Sequence, residues 1–543
     1  MSELQNSIVV RSRNLLSLLL FFSLLAGLTL KVQASEITLD DAWQALTAKN
    51  YQHKEAAITA IAKAHPPQAA PAFHAMMEGR LYFSKKNKAL YILHEAGDDY
   101  QFDPLFDAEP VVQGNKRGFK KIRINNRLRS LIRQSQAAVQ LKDQDAAVRL
   151  TAVQELLKNP GPESAGLVAS VLDGESDHQV LLAMKTLLAI HQLENPEADL
   201  QQGAIETLAT SLHPSALNAL MNYQTSDEVL ARQAATAIVK INHRRDLYAK
   251  AETVFFGISL GSILALSAIG LAITFGVMGV INMAHGELMM IGAYTTYVVQ
   301  QIMPEHIGIS IIVAIPAAFI VSGLVGIAIE RSVIRHLYGR PLETLLATFG
   351  VSLILQQAVR SIFSPLNRSV ETPQWMSGAW QMNEVLAFTW NRFYIIIFSV
   401  AVFIALILVM KKTVLGLQVR AVSQNRMMAR AMGVRSEWVD ALTFGLGSGI
   451  AGMAGVALSL LTNVGPNLGQ AYIIDSFMVV VFGGVGNLWG TLVAGMSLGV
   501  ISKVMEPWAG AVLAKIVVLV FIILFIQKRP KGLFPQRGRA AED

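Results

Sequence analysis

Residues 253–275 read TVFFGISLGSILALSAIGLAITF, 23 positions without one charged side chain. A helix of about 20 apolar residues crosses the roughly 30 Å hydrocarbon layer of a bilayer, so this stretch reads as a membrane span. Working outward from it, apolar runs recur at 288–302, 307–329, 345–363, 393–410 and 439–461. Two shorter runs follow at 472–482 and 488–504, and a last one lies at 510–526. Pro304 and Pro365 fall in turns at run ends, and Pro316 sits inside the third run, where membrane helices tolerate it.

The remainder of the chain is of a different kind. Residues 35–250 carry 24 basic and 25 acidic side chains, an ordinary soluble density, whereas residues 251–543 carry 19 basic and 13 acidic in a longer stretch. The net charge of +7 and mean hydropathy of +0.41 therefore average two unlike parts. With no cysteine, a disulfide framework, a thiolate metal site and a thiol nucleophile are excluded. A basic balance raises the question of nucleic acid. Here the basic residues fall between apolar runs, so membrane topology is the better reading and no nucleic-acid partner is expected.

Arg331, Arg335 and Arg340 cluster after the third run. Lys411, Lys412, Arg420, Arg426, Arg430 and Arg435 follow the fifth, and Lys528, Arg529, Lys531, Arg537 and Arg539 close the chain. The positive-inside rule puts all three clusters in the cytoplasm, and the loop 364–392 with Trp375, Trp380 and Trp390 outside. Nine crossings, or seven with one re-entrant pair, satisfy this. Either count is odd and leaves the N-terminal part outside. The leader asks for the same: Arg11 and Arg13, an apolar run 15–30 and Val32-x-Ala34 form a signal peptide over 1–34, the alternative being an uncleaved first helix. The expected arrangement is an exported domain at 35–250, a multi-pass membrane part and a cytoplasmic tail at 536–543.

Within 35–250 a helix is expected over 39–64, broken by Pro66, Pro67 and Pro71. A hairpin is expected near 81–93 around Lys85-Lys86-Asn87-Lys88, and an Arg-rich helix over 122–138. From Asp145 a pattern of Asp followed by apolar residues at helical spacing recurs at Asp177 and Asp227, which reads as HEAT-like stacked helices over 140–245.

Gly257, Gly261, Gly445, Gly449, Gly486, Gly490, Gly495 and Gly499 lie four apart in pairs that allow close helix contact. Gly483, Gly484 and Gly486, with Phe482, separate two half-length runs; such breaks line pathways in transporters or form tight packing hairpins. Asn282, His285 and Glu287 sit between the first two runs and are pathway candidates, since polar groups in lipid are costly. His285 and Glu287 would make a proton relay, but their place at a run boundary favours a capped turn. Asp475 and Lys515 lie near the outer ends of their runs. No His-Glu-x-x-His is present, no Gly-x-Ser-x-Gly spacing or Ser-x-x-Lys pairing reads as an intramembrane hydrolase, and no Walker loop is present to hold ATP.

The run GLAITFGVMGVINMAHGE (270–287) resembles permease subunits of branched-chain amino-acid type ABC importers. So do Leu346-Ala347-Thr348-Phe349-Gly350, Thr413-x-x-Gly416-x-x-x-Arg420-Ala421-x-x-x-Asn425, Ala429-x-x-x-Gly433, Phe482-Gly483-Gly484-x-Gly486-Asn487 and Arg529-Pro530-Lys531-Gly532-Leu533-Phe534. The likeness covers 251–535. The exported extension, with Ile122-Arg123-Ile124-Asn125-Asn126-Arg127-Leu128-Arg129, resembles the urea-transport branch. The resemblance implies a mainly α fold: a polytopic helical membrane permease of about eight or nine segments, some half-length, after a mostly helical exported domain with a small β-hairpin. It implies no cofactor on this chain, with ATP used by two separate ATPase subunits, a second permease and a periplasmic binding protein as partners, and a small-molecule substrate. Urea or a similar small amide is the first substrate expectation and a branched-chain amino acid the alternative. An ATP-independent channel or an intramembrane enzyme is the reading from another class. The segment 411–435 would be the ATPase-coupling loop, with Arg420 and Asn425 making polar contacts, Ala421 and Ala429 in its motif, and Gly416 and Gly433 shaping its ends.

Overall fold

The computed structural model describes residues 38–534, apart from 65, 97–98, 107–109 and 115. The expected signal peptide and the tail at 536–543 lie outside the described residues. The chain divides into two compact units, one ending at Val239 and the other beginning at Lys240.

The first unit opens with α1 (Leu39–Ala45), α2 (Tyr51–Ala64) and α3 (Ala69–Glu78). The single helix expected over 39–64 is thus two. Thr47 Oγ1 donates to Gln44 O at 2.8 Å and Asn50 Oδ1 accepts from Gln52 N at 3.0 Å. Such side chains compete with the helical ladder and favour a break. Pro71 does not break a helix; it sits in the first turn of α3, where a missing N–H costs little.

The hairpin is real but is the centre of something larger. β1 (Leu81–Ser84) and β2 (Leu90–Ala96) pair in antiparallel register, Leu81 opposite Ile92. β3 (Asp99–Pro104), β4 (Val112–Gly114) and β5 (Phe119–Lys121) widen the sheet in the order β4-β3-β2-β1-β5. Phe102 and Phe119, from non-adjacent strands, stack at 3.9 Å on one face, which a one-strand pattern does not reveal.

Six helices follow: α4 (Asn126–Gln140), α5 (Ala146–Leu157), α6 (Pro162–Ala169), α7 (His178–Gln192), α8 (Ala198–Thr210) and α9 (Pro214–Asn222). Asp145 caps α5 through Ala147 N, and Asp177 caps α7 through Gln179 N and Val180 N. Arg149 on α5 holds Glu175, whose side chain is 2% exposed, with two hydrogen bonds of 2.7 and 2.8 Å, joining successive helix layers. The guanidinium holds that carboxyl down at about 2.

The second unit begins within α10 (Glu228–Met278) and continues with α11 (His285–Ile302), α12 (Ile307–Ser332) and α13 (Pro341–Phe363). A loop with the short hairpin β6 (Ala379–Gln381) and β7 (Ala387–Thr389) leads to α14 (Trp390–Lys412). Then come α15 (Val414–Gln424), α16 (Arg426–Ala431), α17 (Ser436–Ser459), α18 (Leu468–Gly483) and α19 (Leu488–Lys528). Among the described residues six helices are long and apolar enough to cross a membrane. The last of them, α19, breaks at Gly510, whose φ of 76° and ψ of 159° lie outside the helical region, three residues after Pro507. With α11 and α18, shorter, each of the nine apolar runs occupies a helix or half-helix.

The bundle is close-packed through small residues. A methyl group at Gly292 of α11 would stand 2.1 Å from Gly452 O of α17, and one at Gly261 of α10 would stand 2.8 Å from Gly495 O of α19. Backbone-to-backbone approach of this kind is how membrane helices gain attraction where lipid removes the hydrophobic drive. Apolar side chains of α10 to α14 and α17 form the main core between them.

Candidate functional site

Helix α11 does not start at the end of the bundle. His285 Nε2 donates to Ser267 O at 2.9 Å. Ser267 lies eleven residues before the end of α10, about 16 Å back along its axis at 1.5 Å per residue. Residues 279–284 therefore double back into the bundle after a turn at Gly279, whose φ is +64°. The doubling-back segment is held by side chains rather than by a ladder. Met283 N donates to Thr348 Oγ1 at 3.1 Å, and Asn282 Oδ1 accepts from Ala284 N at 3.0 Å.

Glu287, in the first turn of α11, meets α13. Its Oε1 accepts from Gln356 Nε2 at 2.7 Å and from Ser352 Oγ at 3.1 Å. Ser352 stands eleven residues from either end of α13, so this contact is at mid-depth. The expectation that His285 and Glu287 mark a boundary turn is thereby corrected. The apolar count began the helix at 288, but the chain re-enters and carries both residues to the centre, His285 fully buried and Glu287 1% exposed. Three side-chain atoms here have no protein partner: Asn282 Nδ2, His285 Nδ1 and Glu287 Oε2.

A second helix starts at the same place. A methyl group at Gly286 would lie 2.3 Å from Gly469 O, in the first turn of α18. Only two glycines allow the first turns of α11 and α18 to touch. Asn467, just before α18, accepts from Arg360 Nη2 at 2.7 Å. The residues that sequence reading missed form one stripe on α13: Thr344, Thr348, Ser352, Gln356 and Arg360, each four apart. The first four are buried. The signal was present, since polar residues at helical spacing inside an apolar run mark a face turned away from lipid.

The glycines at 483–486 take a different part. Gly483 ends α18, and Gly484 and Gly486 turn the chain into α19 with φ of +103° and +77°. The C-terminal segment packs on this turn: Leu533 N donates to Phe482 O at 2.9 Å and Phe534 N to Gly483 O at 3.2 Å. The motif is thus a tight turn between α18 and α19 with the C-terminal segment packed on it. Asp475 lies in the middle of α18, not at its end, because the helix starts at Leu468; it pairs with Lys515 at 2.8 Å beside a small cavity that Tyr472, Lys503 and Glu506 also line.

The basic segment 411–435 is two short helices, α15 and α16. Thr413 caps α15 through Gly416 N at 3.2 Å, and Gly416 must lack a side chain because a methyl group there would stand 2.2 Å from Met410 O. The Arg420 guanidinium donates to Met410 O, fixing α15 against the end of α14. Asn425 caps α16 through Met428 N at 2.9 Å, and Gly433 leaves it with a φ of +88°. Val419, Val422, Ala429 and Val439 form a small core, with Ala421 packed on it.

Arg426 was not singled out in the sequence, yet it makes the firmest link. It donates to both oxygens of Asp440 on α17, at 2.7 and 2.9 Å, and Asp440 is fully buried. The guanidinium also lies 5.1 Å from the ring centre of Tyr338, whose hydroxyl donates to Glu330 on α12 at 3.0 Å. Burial, then the negative charges of Asp440 and Glu330, push the Tyr338 hydroxyl up, so it stays a donor. Away from this anchor the two short helices expose Val414, Leu417, Met427, Met428 and Met432, Met427 to 81% and Met432 to 80%.

Residues 253–526 match the family described as branched-chain amino acid transport system / permease component. The chain belongs to this permease family. It is 29% identical over 297 residues to the high-affinity branched-chain amino acid transport system permease protein BraD of Pseudomonas aeruginosa, covering 53% of this chain and 96% of that protein. It is likewise 29% identical over 292 residues to the permease LivH of Salmonella typhimurium, covering 52% of this chain and 94% of that protein. The probable permease LivH of Methanocaldococcus jannaschii is 24% identical over 283 residues, 50% of this chain and 88% of that protein. No solved structure matches. The permease helices are thus shared almost whole with these relatives, and the first unit lies outside the family match.

Proposed function

We propose that the chain is the membrane subunit of an ATP-driven importer and that solute moves past the mid-depth start of α11. The observation that carries the reading is the family match over 253–526, with near-complete coverage of permease relatives. The polar stripe of α13 gives a path of hydroxyl and amide groups through an apolar bundle.

The relatives are named for branched-chain amino acids, which favours that solute class. The urea reading rests on the first unit, which those relatives do not match. The segment 411–435 is the surface on which an ATPase subunit docks. Exposed methionines give an adaptable apolar patch, and Arg420, Arg426 and Asn425 hold its shape from behind. Motion of that patch reaches α17 through Arg426 and Asp440 as a rigid-body shift. A second permease, ATPase subunits and a binding protein complete the importer. In this reading the first unit lies in the periplasm and the end of the chain in the cytoplasm.

The test is ATP-dependent uptake of labelled leucine and labelled urea by the assembled importer in proteoliposomes. Uptake of leucine supports the first solute reading and uptake of urea the second. Uptake that persists with the ATPase subunits removed would replace the importer by a channel.

A further inference from the structure

Glu287 presents a chemical demand that the fold itself does not meet. A carboxylate buried at mid-depth is costly unless its lone pairs are used. Ser352 and Gln356 both donate to Oε1, and Oε2 has no protein partner. Nor is the orphan isolated. The Gly286–Gly469 approach brings the first turns of two helices together beside it, each the positive end of a helix dipole. Arg360, one helical turn beyond Gln356, adds a guanidinium held by Asn467. The site therefore combines an unpartnered carboxylate oxygen with nearby positive potential.

We infer that Glu287 Oε2 is the acceptor for an N–H group of the transported solute, with Ser352 and Gln356 holding the carboxylate in place for it. The solute it fits is small and dipolar, bearing N–H at one end and a carboxylate or carbonyl oxygen at the other. The ammonium of an amino acid and an amide N–H of urea share that chemistry. The doubling-back segment 279–284 is what brings the carboxylate to the centre, and the two glycines let the positive ends of both helices meet there. This inference rests on the permease reading and names what the path recognises.

The chain contains no cysteine, so a single introduced thiol reports on the site without background from this subunit. The probe is Ser352→Cys in the complete importer in proteoliposomes, treated with a small membrane-permeant methanethiosulfonate, with labelling read on this chain by its size. Saturating solute is expected to slow labelling at least fivefold, and Ser352→Cys with Glu287→Gln is expected to lose that protection. In parallel, Glu287→Gln should lower uptake more than tenfold while co-purifying with its partners in normal amount, and Glu287→Asp, which keeps the acceptor, should recover part of the rate. Protection by leucine alone assigns the ammonium; protection by urea alone assigns the amide. Labelling that is absent or indifferent to both solutes, or full uptake by Glu287→Gln, overturns the inference while leaving the permease reading intact. Failure of the permease reading looks different: the wild-type importer then moves neither solute in an ATP-dependent way, and the inference falls with it.

Discussion

Replacing Arg426 by alanine should loosen the coupling segment without unfolding the bundle, and the structure sets the size of the effect. Asp440 is fully buried and takes both its strong hydrogen bonds from Arg426, whose side chain is 31% exposed. Removing one partner of a buried ion pair costs about 3–5 kcal/mol because the other charge is left stranded. Partial exposure of Arg426 lets water screen the loss, so the lower end, about 3 kcal/mol, applies. That is roughly a hundredfold in the equilibrium for local opening. Asp440→Asn keeps the shape, removes the charge and leaves a guanidinium that water can reach, so its cost is about 1–2 kcal/mol, near tenfold. The assay is hydrogen exchange of backbone amides 414–435 in the detergent-solubilised complex, which reads local opening directly. Arg426→Ala should speed exchange there about a hundredfold and leave α12 and α17 protected, and the double variant should cost about 2 kcal/mol less than the two single costs combined. Additive effects, or unchanged exchange in Arg426→Ala, would refute the claim that this pair ties the segment to the bundle.

Other outcomes follow from the same geometry. Arg420→Glu, which cannot donate to Met410 O, should insert normally but lose ATP-dependent uptake; full uptake in vesicles would count against the coupling role. Met432→Glu, at the exposed patch, should weaken capture of the ATPase subunit in a pull-down while membrane yield stays the same. Gly292→Ala places a methyl group against Gly452 O and should cost at least about 1–3 kcal/mol, seen as a lower melting temperature of the purified chain. In the first unit, Arg149→Ala should lower the melting temperature at neutral pH. Because Arg149 holds the Glu175 carboxyl down at about 2, that contribution is present above the ordinary carboxylate range, near 4.3, and disappears as pH falls through about 2. Melting curves of wild type and variant should therefore converge in strong acid.

The membrane helices were legible because the bilayer imposes their length: each apolar run lies in a helix, although α10 begins 25 residues before its run and α19 holds two runs either side of Gly510. Helix starts in the first unit were legible for a similar reason, since Asp145 and Asp177 act locally on their own N–H groups. What composition could not reveal was re-entry. Residues 279–284 look like a turn between spans, and only the distant partners Ser267 and Thr348 show that they rise to mid-depth. Glu287 was visible as a suspect, but its neighbours Ser352 and Gln356 lie more than sixty residues away in sequence. The polar stripe on α13, five residues spaced four apart, is readable in the sequence. Arg426 was counted only as one cation in a positive loop, because its partner Asp440 sits in the next apolar run as a lone charge. The five-stranded sheet was half legible: strands of three residues carry too short a pattern to be seen without their neighbours.

The central claim is that this chain carries solute across the membrane only when coupled to ATP hydrolysis by a partner. The most direct measurement is solute accumulation in proteoliposomes holding the chain with its second permease and ATPase subunits, supplied with binding protein and labelled leucine or urea. One of these solutes should be concentrated against its gradient with ATP, and neither with a non-hydrolysable analogue or with Arg420→Glu. Equal movement of solute with and without ATP, stopping at equilibrium, would contradict it.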